Sequence, residues 1–411
     1  MRILGALAIV GCLLVPAIAG AVPPFARRYG FSCNTCHAGG PSKLGPFGEA
    51  FRDHGYQLPA EAEFLREPPL SLGDPSREKL FPGSTWPGQI PGNVPLGVLG
   101  LIGMRADLPR GGQAGHNEER LILEILAAGA LGSHFSVFAE LELKPDEAEL
   151  ERVFFVARSL FEDTLGPGRL GLKVGRAELE VFPVQPALRR AIQSPLSQRT
   201  SVGRSLFQLA APSDVVMVLG VLPGRIKYAL GASRGARPPD DVDGLDGFGR
   251  VHLKLGHDPF AEQGSAEVLV ELGASAYFGR SPLAPEAATG TPASAGSTAF
   301  RRLMLDGRLR FRGLDVLAQA VVGHDDAPTG AAAVRSVAYL GEIEHAVLPW
   351  LLPYVRFEGI AFDGDVTADR QRVVTGLATF VRTNIRVRLE GTIGTLAREP
   401  HGVGGDLFFA F

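Results

Sequence analysis

Cysteine and tryptophan are scarce in this sequence, and neither sign of charge dominates it. The 411 residues include 3 Cys and 2 Trp, and 41 Lys and Arg residues stand against 44 Asp and Glu residues. Such an even balance provides no basic field for nucleic acid, so we expect no nucleic-acid partner. No uncharged apolar run after residue 21 approaches the roughly 20 residues of a membrane-spanning helix, which argues against a helical membrane protein. Glycine (52) and proline (31), in contrast, are abundant.

The first 21 residues have the three parts of a secretory signal peptide. A positively charged start precedes the apolar stretch Ile3–Val15, and small residues suited to cleavage follow it. We therefore predict that residues 1–21 are removed after export. Cys12 would be lost with them, since its surroundings make a poor lipid-attachment motif. Two cysteines then remain in the exported chain.

These two cysteines stand three residues apart and are followed directly by a histidine. Cys33, Cys36 and His37 form the Cys-x-x-Cys-His signature of c-type haem attachment. Two thiols at this spacing reach the two vinyl groups of the porphyrin, so the motif predicts one covalent haem c with His37 as the proximal iron ligand. A disulfide, a thioredoxin-like redox pair or half of a zinc site would share the cysteine spacing. The zinc alternative lacks a second pair of ligands, and the redox alternative lacks a βαβ unit.

A short helix is predicted shortly after this motif. Residues 45–55 have a proline near their start and end in a glycine, as helices commonly do. Phe47, Phe51 and His54 fall on one face of this helix. Both phenylalanines are therefore candidates for packing against the haem, and His54 is a candidate sixth iron ligand. Otherwise the iron is five-coordinate or takes a ligand from further along the chain, such as Met104, Met217 or Met304.

A wider pattern surrounds the motif. It consists of Pro24–Gly30, Ser32–His37, Pro46–Gly48, Phe51, Gly55, Tyr56 and Leu58. With these residues, the segment 22–58 resembles the N-terminal part of the fused monohaem cytochrome c–porin family of outer-membrane electron-transfer proteins, which includes outer-membrane iron oxidases. The resemblance implies a periplasmic cytochrome c as electron partner and an extracellular donor, with Fe(II) as the leading candidate. With that donor, the activity would be that of an Fe(II):cytochrome c oxidoreductase.

From residue 95 onward, apolar and polar residues alternate over long stretches. Sixteen strands are predicted, at 95–108, 119–131, 134–144, 151–161, 168–178, 206–221, 225–234, 248–257, 264–279, 300–312, 314–323, 333–346, 350–361, 370–382, 385–396 and 404–411. Most are about 10–14 residues long, which suits a tilted membrane crossing and exceeds the usual strand of a soluble sheet. Long connections mostly follow the odd-numbered strands and short ones the even-numbered strands, as in outer-membrane barrels.

We therefore predict an all-β fold with a small helical attachment. An antiparallel β-barrel of about 16 strands in the outer membrane spans residues 95–411, a linker spans 59–94, and a helical haem segment spans 22–58. The longest predicted outer loop covers residues 179–205. A soluble β-sandwich remains the alternative, because its strands also alternate.

Many charged residues fall on one face of the predicted strands. They are Arg302, Arg308, Arg310, Arg312, Arg386, Arg388, Glu140, Glu142, Glu271 and Glu390. In a barrel they would face the lumen, because the other face contacts lipid. Two interpretations remain open: these charges pair with one another around water, or they form a polar cradle for the haem segment or its propionates.

Together these features predict a protein that moves electrons through its haem between an extracellular donor and periplasmic cytochromes. The alternative is a solute porin whose haem-bearing segment acts as a sensor or plug. A soluble electron carrier or a haem peroxidase would require a sandwich in place of the barrel. The sequence offers no recognisable set of catalytic residues.

Overall fold

The computed structural model describes most of the chain from residue 24 onward. The described residues are 24–37, 43–58, 70–71, 89–90, 96–109, 115–131, 134–184, 191–222, 225–235, 244–256, 268–284, 296–328, 332–363, 369–396 and 399–410. The predicted signal peptide (residues 1–21) lies outside them, as does the predicted linker except for two short strands. These strands, β1 (Leu70–Ser71) and β2 (Gln89–Ile90), pair antiparallel with each other.

Sixteen antiparallel strands form a closed barrel, which confirms the predicted fold. They are β3 (Leu96–Leu108), β4 (His116–Leu131), β5 (Phe135–Lys144), β6 (Glu147–Ala157), β7 (Gly171–Ala177), β8 (Ser213–Leu222), β9 (Ile226–Ser233), β10 (Asp246–Leu255), β11 (Val268–Pro282), β12 (Ser297–Phe311), β13 (Leu314–Asp325), β14 (Val334–His345), β15 (Leu351–Phe362), β16 (Arg370–Arg382), β17 (Ile385–Gly394) and β18 (His401–Ala410). Each strand pairs with the next, and β18 pairs with β3 to close the sheet. Closure leaves no sheet edge exposed to lipid.

The barrel presents apolar side chains to its outside and charged side chains to its inside. Along β12, Leu303, Leu305 and Leu309 are 59%, 66% and 39% exposed, whereas Arg302 and Arg308 are only 7% and 3% exposed. A soluble β-sandwich would bury its apolar face, so that alternative is wrong. An apolar belt around a closed barrel is stable in lipid, and the chain is an outer-membrane barrel.

Two predicted strands and one predicted lumen residue are corrected by the structure. The fourth strand (predicted 151–161) lies at Glu147–Ala157, and the sixth (predicted 206–221) begins only at Ser213. Arg312, predicted to face the lumen, is exposed in the β12–β13 turn with a φ of 45°. Its guanidinium lies over the ring of Phe311, 5.1 Å from the ring centre.

In the described part of the chain, five short helices accompany the barrel. They are α1 (Pro24–Tyr29), α2 (Cys33–Cys36), α3 (Pro46–Asp53), α4 (Glu162–Leu165) and α5 (Leu196–Arg199). The helix predicted at 45–55 is therefore confirmed as α3, and Gly55 follows it with a φ of +69° that favours glycine. None of the helices in the described residues is long and apolar enough to cross a membrane.

The predicted outer loop at residues 179–205 folds back into the lumen. It belongs to the connection between β7 and β8, whose described residues 178–184 and 191–212 we call the inward loop. Val181 and Phe207 of this loop are 0% and 4% exposed. Their apolar side chains pack against the barrel wall in one large buried cluster. The sequence predicted a long connection at the outer end of the barrel but not its inward fold, which buries these apolar side chains against the wall.

Polar side chains of the wall hold the backbone of the inward loop. Glu390 accepts hydrogen bonds from the backbone N–H groups of Ile192 (2.7 Å) and Gln193 (3.2 Å). Arg356 donates to the carbonyl of Gln193 at 2.8 Å. Glu358 accepts from the N–H of Leu196 at 2.8 Å. Buried backbone groups need such partners, so these contacts fix the loop against β15 and β17.

Candidate functional site

The N-terminal segment lies inside the barrel, at the end where short turns join the strands. We call its described residues, 24–37 and 43–58, the plug. Gln57 donates to the backbone carbonyl of Phe135, the first residue of β5, at 2.9 Å. The thiol of Cys33 is hydrogen-bonded to the side chain of Thr383, in the turn between β16 and β17. Short turns face the periplasm in outer-membrane barrels, so the plug lies at the periplasmic end.

Glu49, on α3, connects the plug to the wall at β12. Its Oε1 atom accepts a hydrogen bond from Nη1 of Arg308 at 2.7 Å and pairs with Arg310 as well. Glu49 is 5% exposed, and the two arginines are 3% and 8% exposed. Burial and the nearby carboxylate of Glu271 raise the pKa of Glu49 to about 7, although Arg308 and Lys254 act in the opposite direction. The anionic form of Glu49 therefore depends on the opposite charge that the wall provides. For these two arginines, the structure favours the interpretation of the lumen charges as a cradle for the N-terminal segment.

Asp53, one helical turn further along α3, connects the plug to the wall at β9 and β10. Its two carboxylate oxygens lie 2.8 Å from Nζ of Lys227 and 2.9 Å from Nζ of Lys254. Burial alone would raise the pKa of Asp53, but the two lysines and Arg52 lower it well below its ordinary value. Asp53 therefore stays ionised in the docked plug.

The depressed pKa of Asp53 predicts how plug docking responds to acid. Ionised Asp53 stabilises the docked state above its ordinary pKa of about 3.9, and this contribution is lost as pH falls further toward the lower pKa of the docked state. We expect Asp53→Asn to reduce the hydrogen-exchange protection of α3. The difference from wild type should stay constant between pH 7 and about 4 and shrink below that. A difference that already disappears between pH 7 and 5 would contradict this assignment.

Lys43 connects the plug to the wall by a positive charge. Its Nζ atom lies 3.3, 3.3 and 3.2 Å from carboxylate oxygens of Asp315, Glu342 and Glu344, and the residue is 1% exposed. Burial alone would lower the pKa of Lys43, but the three carboxylates raise it above its ordinary value. Lys43 therefore remains charged and ties the plug to β13 and β14.

The cysteine motif forms one compact turn within the plug. Cys33 and Cys36 are the ends of the single-turn helix α2, and the N–H of His37 donates to the carbonyl of Cys33 at 2.9 Å. Both cysteines are free thiols. Burial raises the pKa of Cys33 and raises that of Cys36 to about 11, with Cys33 adding to the effect on Cys36. Thioredoxin-like pairs need a lowered thiol pKa, so this environment disfavours the redox-pair alternative.

Gly48 allows α3 to pack directly on this turn. A Cβ atom at position 48 would lie 2.0 Å from the carbonyl oxygen of Cys36, which is far inside van der Waals contact. The carbonyl of Cys36 also accepts a hydrogen bond from the N–H of Gly45 at 2.8 Å. The close contact joins the cysteine turn to the helix that carries Glu49 and Asp53.

Phe47 and Phe51 lie on the same side of α3, as predicted, and face other aromatic rings of the plug. The ring of Phe51 is 5.3 Å from that of Phe25 and 5.7 Å from that of Tyr29. The ring of Phe47 is 5.6 Å from that of Phe31. These rings form a small apolar core between α1 and α3. Haem packing by Phe47 and Phe51 stays a prediction.

His54 directly follows α3 and is half-buried. Its Nδ1 atom lies 2.8 Å from the carbonyl oxygen of Ala50. If Nδ1 carries the proton that makes this hydrogen bond, Nε2 is the nitrogen with a lone pair for iron. Met104 is 68% exposed on the barrel, whereas Met217 and Met304 are buried in the apolar cluster of the wall. Ligation by Met104 would require it to leave the outer surface.

The plug and the inward loop meet at one lysine. Nζ of Lys227 lies 2.8 Å from Oδ1 of Asp53 and 3.4 Å from Oε2 of Glu180, which belongs to the inward loop. Lys173 lies 3.5 Å from the same carboxylate. A cavity of about 20 Å³ lies beside these groups and is large enough for about one water molecule. The lumen is thus occupied from both ends by parts of the chain itself.

Sequence analysis missed the docking residues Lys43, Glu49 and Asp53. A signal was present for two of them, since Glu49 and Asp53 are four residues apart and lie opposite the phenylalanine face of α3. Within the described ranges, no group of three or more His, Cys, Asp or Glu side chains is arranged to hold a metal ion.

Comparison with known proteins supports the fold. No protein family matches the sequence, and no curated protein sequence does. Solved structures with a similar fold include a loop-deletion variant of OmpT, an outer membrane protein of Vibrio cholerae, with a TM-score of 0.56 and 10% identity over 77% of this chain and 99% of that chain. Salmonella typhi OmpF in complex with daunomycin has a TM-score of 0.53 and 9% identity over 77% of this chain and 97% of that chain. The outer membrane channel DcaP of Acinetobacter baumannii has a TM-score of 0.51 and 10% identity, again over 77% of this chain and 97% of that chain.

Proposed function

We propose that the protein carries electrons through the outer membrane by means of one haem c attached to Cys33 and Cys36. The observation that supports this proposal most is the placement of the Cys-x-x-Cys-His turn inside an occupied lumen. An open barrel of this strand count would be a water-filled channel. Here the plug and the inward loop both lie inside the lumen and contact its wall, which suits the passage of electrons better than the passage of solutes.

The residues of the plug fit a covalently bound haem. Two free thiols one turn apart can each form a thioether with a vinyl group, and His37 follows as the proximal ligand. A bound haem would supply a one-electron Fe(III)/Fe(II) centre. Phe31 and Phe47 are only partly buried and offer apolar surface at the edge of the aromatic core, and Gly48 keeps α3 against the cysteine turn. His54 is the candidate sixth ligand, and the charged contacts of Lys43, Glu49 and Asp53 hold the plug in place.

We propose one electron partner on each side of the outer membrane. A plug at the periplasmic end suits electron exchange with a periplasmic cytochrome c. The extracellular donor is proposed from the family resemblance alone, with Fe(II) as the leading candidate. The activity would then be that of an Fe(II):cytochrome c oxidoreductase.

The second candidate function is a solute porin with a haem-bearing plug. The likeness of the barrel to OmpT, OmpF and the channel DcaP favours it, since these neighbours share the fold. A channel function would require the plug or the inward loop to leave the lumen, at least in part.

Electron transfer into sealed liposomes tests the first proposal against the second. We expect the purified chain to retain haem after denaturation, and proteoliposomes to reduce trapped ferric cytochrome c when Fe(II) is added outside. The double variant Cys33→Ser and Cys36→Ser should lose both the haem and the reduction while the barrel still resists heat on a gel.

A trapped sugar provides the control for this experiment. Wild-type proteoliposomes should retain the sugar while they reduce the trapped cytochrome. Loss of the sugar would favour the porin whether or not the cytochrome is reduced, because Fe(II) could then enter through the open channel and reduce the cytochrome directly.

A further inference from the structure

Two ionisable side chains face each other in the wall beneath the plug, and the proposed electron transfer uses neither of them. Nε2 of His252, on β10, lies 3.6 Å from Oε2 of Glu271, on β11. The residues are 7% and 1% exposed. The separation is beyond hydrogen-bond reach, and within the described residues neither Glu271 oxygen has a hydrogen-bond partner. A proton on Nε2 of His252 would place a further opposite charge beside this buried carboxylate.

The strand register places this pair directly under α3. His252 is opposite Lys227 on β9, and Glu271 is flanked by Lys254 on β10 and Arg308 on β12. Lys227 and Lys254 are the two lysines that bind Asp53 of the plug, and Arg308 binds Glu49. The pair therefore borders the helix that packs on the cysteine turn through Gly48.

The surrounding charges oppose one another at His252. The charged groups next to the pair are Lys227 on β9, Lys254 on β10, Arg308 on β12 and Glu49 on α3. Arg310, Arg52 and Asp53 lie one contact further away, because they interact with Glu49, Lys227 and Lys254. Lys227, Lys254 and Arg308 place three cations of the wall around the pair, and Glu271 places one anion beside His252. One additional negative charge in the neighbouring plug would shift this balance, because charges interact strongly in a poorly solvated lumen.

We propose that His252, paired with Glu271, is a proton-accepting site coupled to electron uptake by the plug. The inference rests on the proposed function, since it needs a redox centre at Cys33 and Cys36. One electron enters the plug, one proton moves from solvent to Nε2 of His252, and the net charge inside the lumen stays constant. On oxidation the proton leaves again.

The reduction potential measured against pH tests this site in the detergent-solubilised, haem-bearing chain. A one-electron centre coupled to one proton changes its potential by about 59 mV per pH unit, which corresponds to a tenfold change in equilibrium constant. We expect such a slope over part of the range from pH 5 to 8. His252→Asn should make the reduction potential independent of pH in this range. Glu271→Gln should move the sloping part of the curve to lower pH, because the protonated imidazole then has no carboxylate beside it.

His324→Asn serves as the matched control. His324 is the penultimate residue of β13, at the outer end of the barrel, and its Nε2 atom lies 3.3 Å from Oδ1 of Asp326. Its replacement should leave the slope unchanged. Heat-modified mobility on a gel shows whether each variant folds, and His252→Gln provides a second neutral variant. A haem-bearing wild type with a flat profile, or a slope that persists in both folded His252 variants, would overturn the proton site alone. A chain without covalent haem would reject the proposed function together with it.

Discussion

Glu49→Ala is expected to weaken the docking of the plug by about 3–5 kcal/mol, the usual effect of removing one partner from a buried ion pair. Arg308 would keep its hydrogen bonds to Asp315, at 2.9 Å from Nε. Among the ion pairs of Arg310 in the described residues, the one with Asp315 would remain, in which Nε of Arg310 lies 3.6 Å from Oδ2 of Asp315. The larger part of the loss should therefore come from the stranded charge of Arg310, which is 8% exposed.

Trypsin can measure this loss, because cleavage of a protected segment follows the fraction of molecules in which it is open. Arg28 and Arg52 provide cleavage sites within the plug. At about 1.4 kcal/mol per tenfold change, the expected loss corresponds to roughly two to three and a half orders of magnitude in the open fraction. The double variant Glu49→Ala with Arg310→Met should recover much of the resistance, because it removes the stranded charge as well.

Glu118→Ala is the control for this experiment. Glu118 lies near the outer end of β4, is half-exposed, and pairs with Arg120 at 3.2 Å. An exposed pair contributes about 0–1 kcal/mol, so its loss should hardly change cleavage of the plug. Equal cleavage rates in the Glu49 and Glu118 variants would show that Glu49 does not hold the plug.

The barrel was predictable because lipid imposes a simple rule on its strands. Leu303, Leu305 and Leu309 alternate with Arg302 and Arg308, and such a pattern assigns each residue to one face whatever its distant neighbours are. α3 was predictable for a similar reason, since Pro46 and Gly55 mark its ends locally. Both inferences need only residues that are close in the sequence.

Contacts inside the lumen were not predictable in this way. Lys43 and Glu342 are 299 positions apart, and the sequence around either one gives no sign of the other. The inward loop was missed for the same reason, because Val181 and Phe207 are buried by wall residues on distant strands. The segment 206–212 was assigned to a strand since its apolar residues continue the pattern of β8, whereas in the structure they fill the lumen.

Planar bilayers that contain the wild-type chain are expected to show little ion conductance, because the plug and the inward loop occupy the lumen. A triple variant, Lys43→Ala with Glu49→Ala and Asp53→Ala, removes the charged contacts of the plug with β9, β10 and β12 to β14. We expect it to conduct, since a barrel of 16 strands leaves an aqueous channel once it is empty. Heat-modified gel mobility shows whether the barrel of the variant is intact.

The inward loop should limit the conductance that remains. Replacing Glu390 and Glu358 by alanine in the triple variant removes the acceptors for the N–H groups of Ile192, Gln193 and Leu196. Conductance should then rise again, because the loop loses its hold on β15 and β17. If the wild type already conducts like the most open variant, the occupied lumen does not block solutes, and the porin becomes the better account of the protein. If only the variants conduct, the wild-type barrel does not pass ions, and this result agrees with a protein that transfers electrons through its plug.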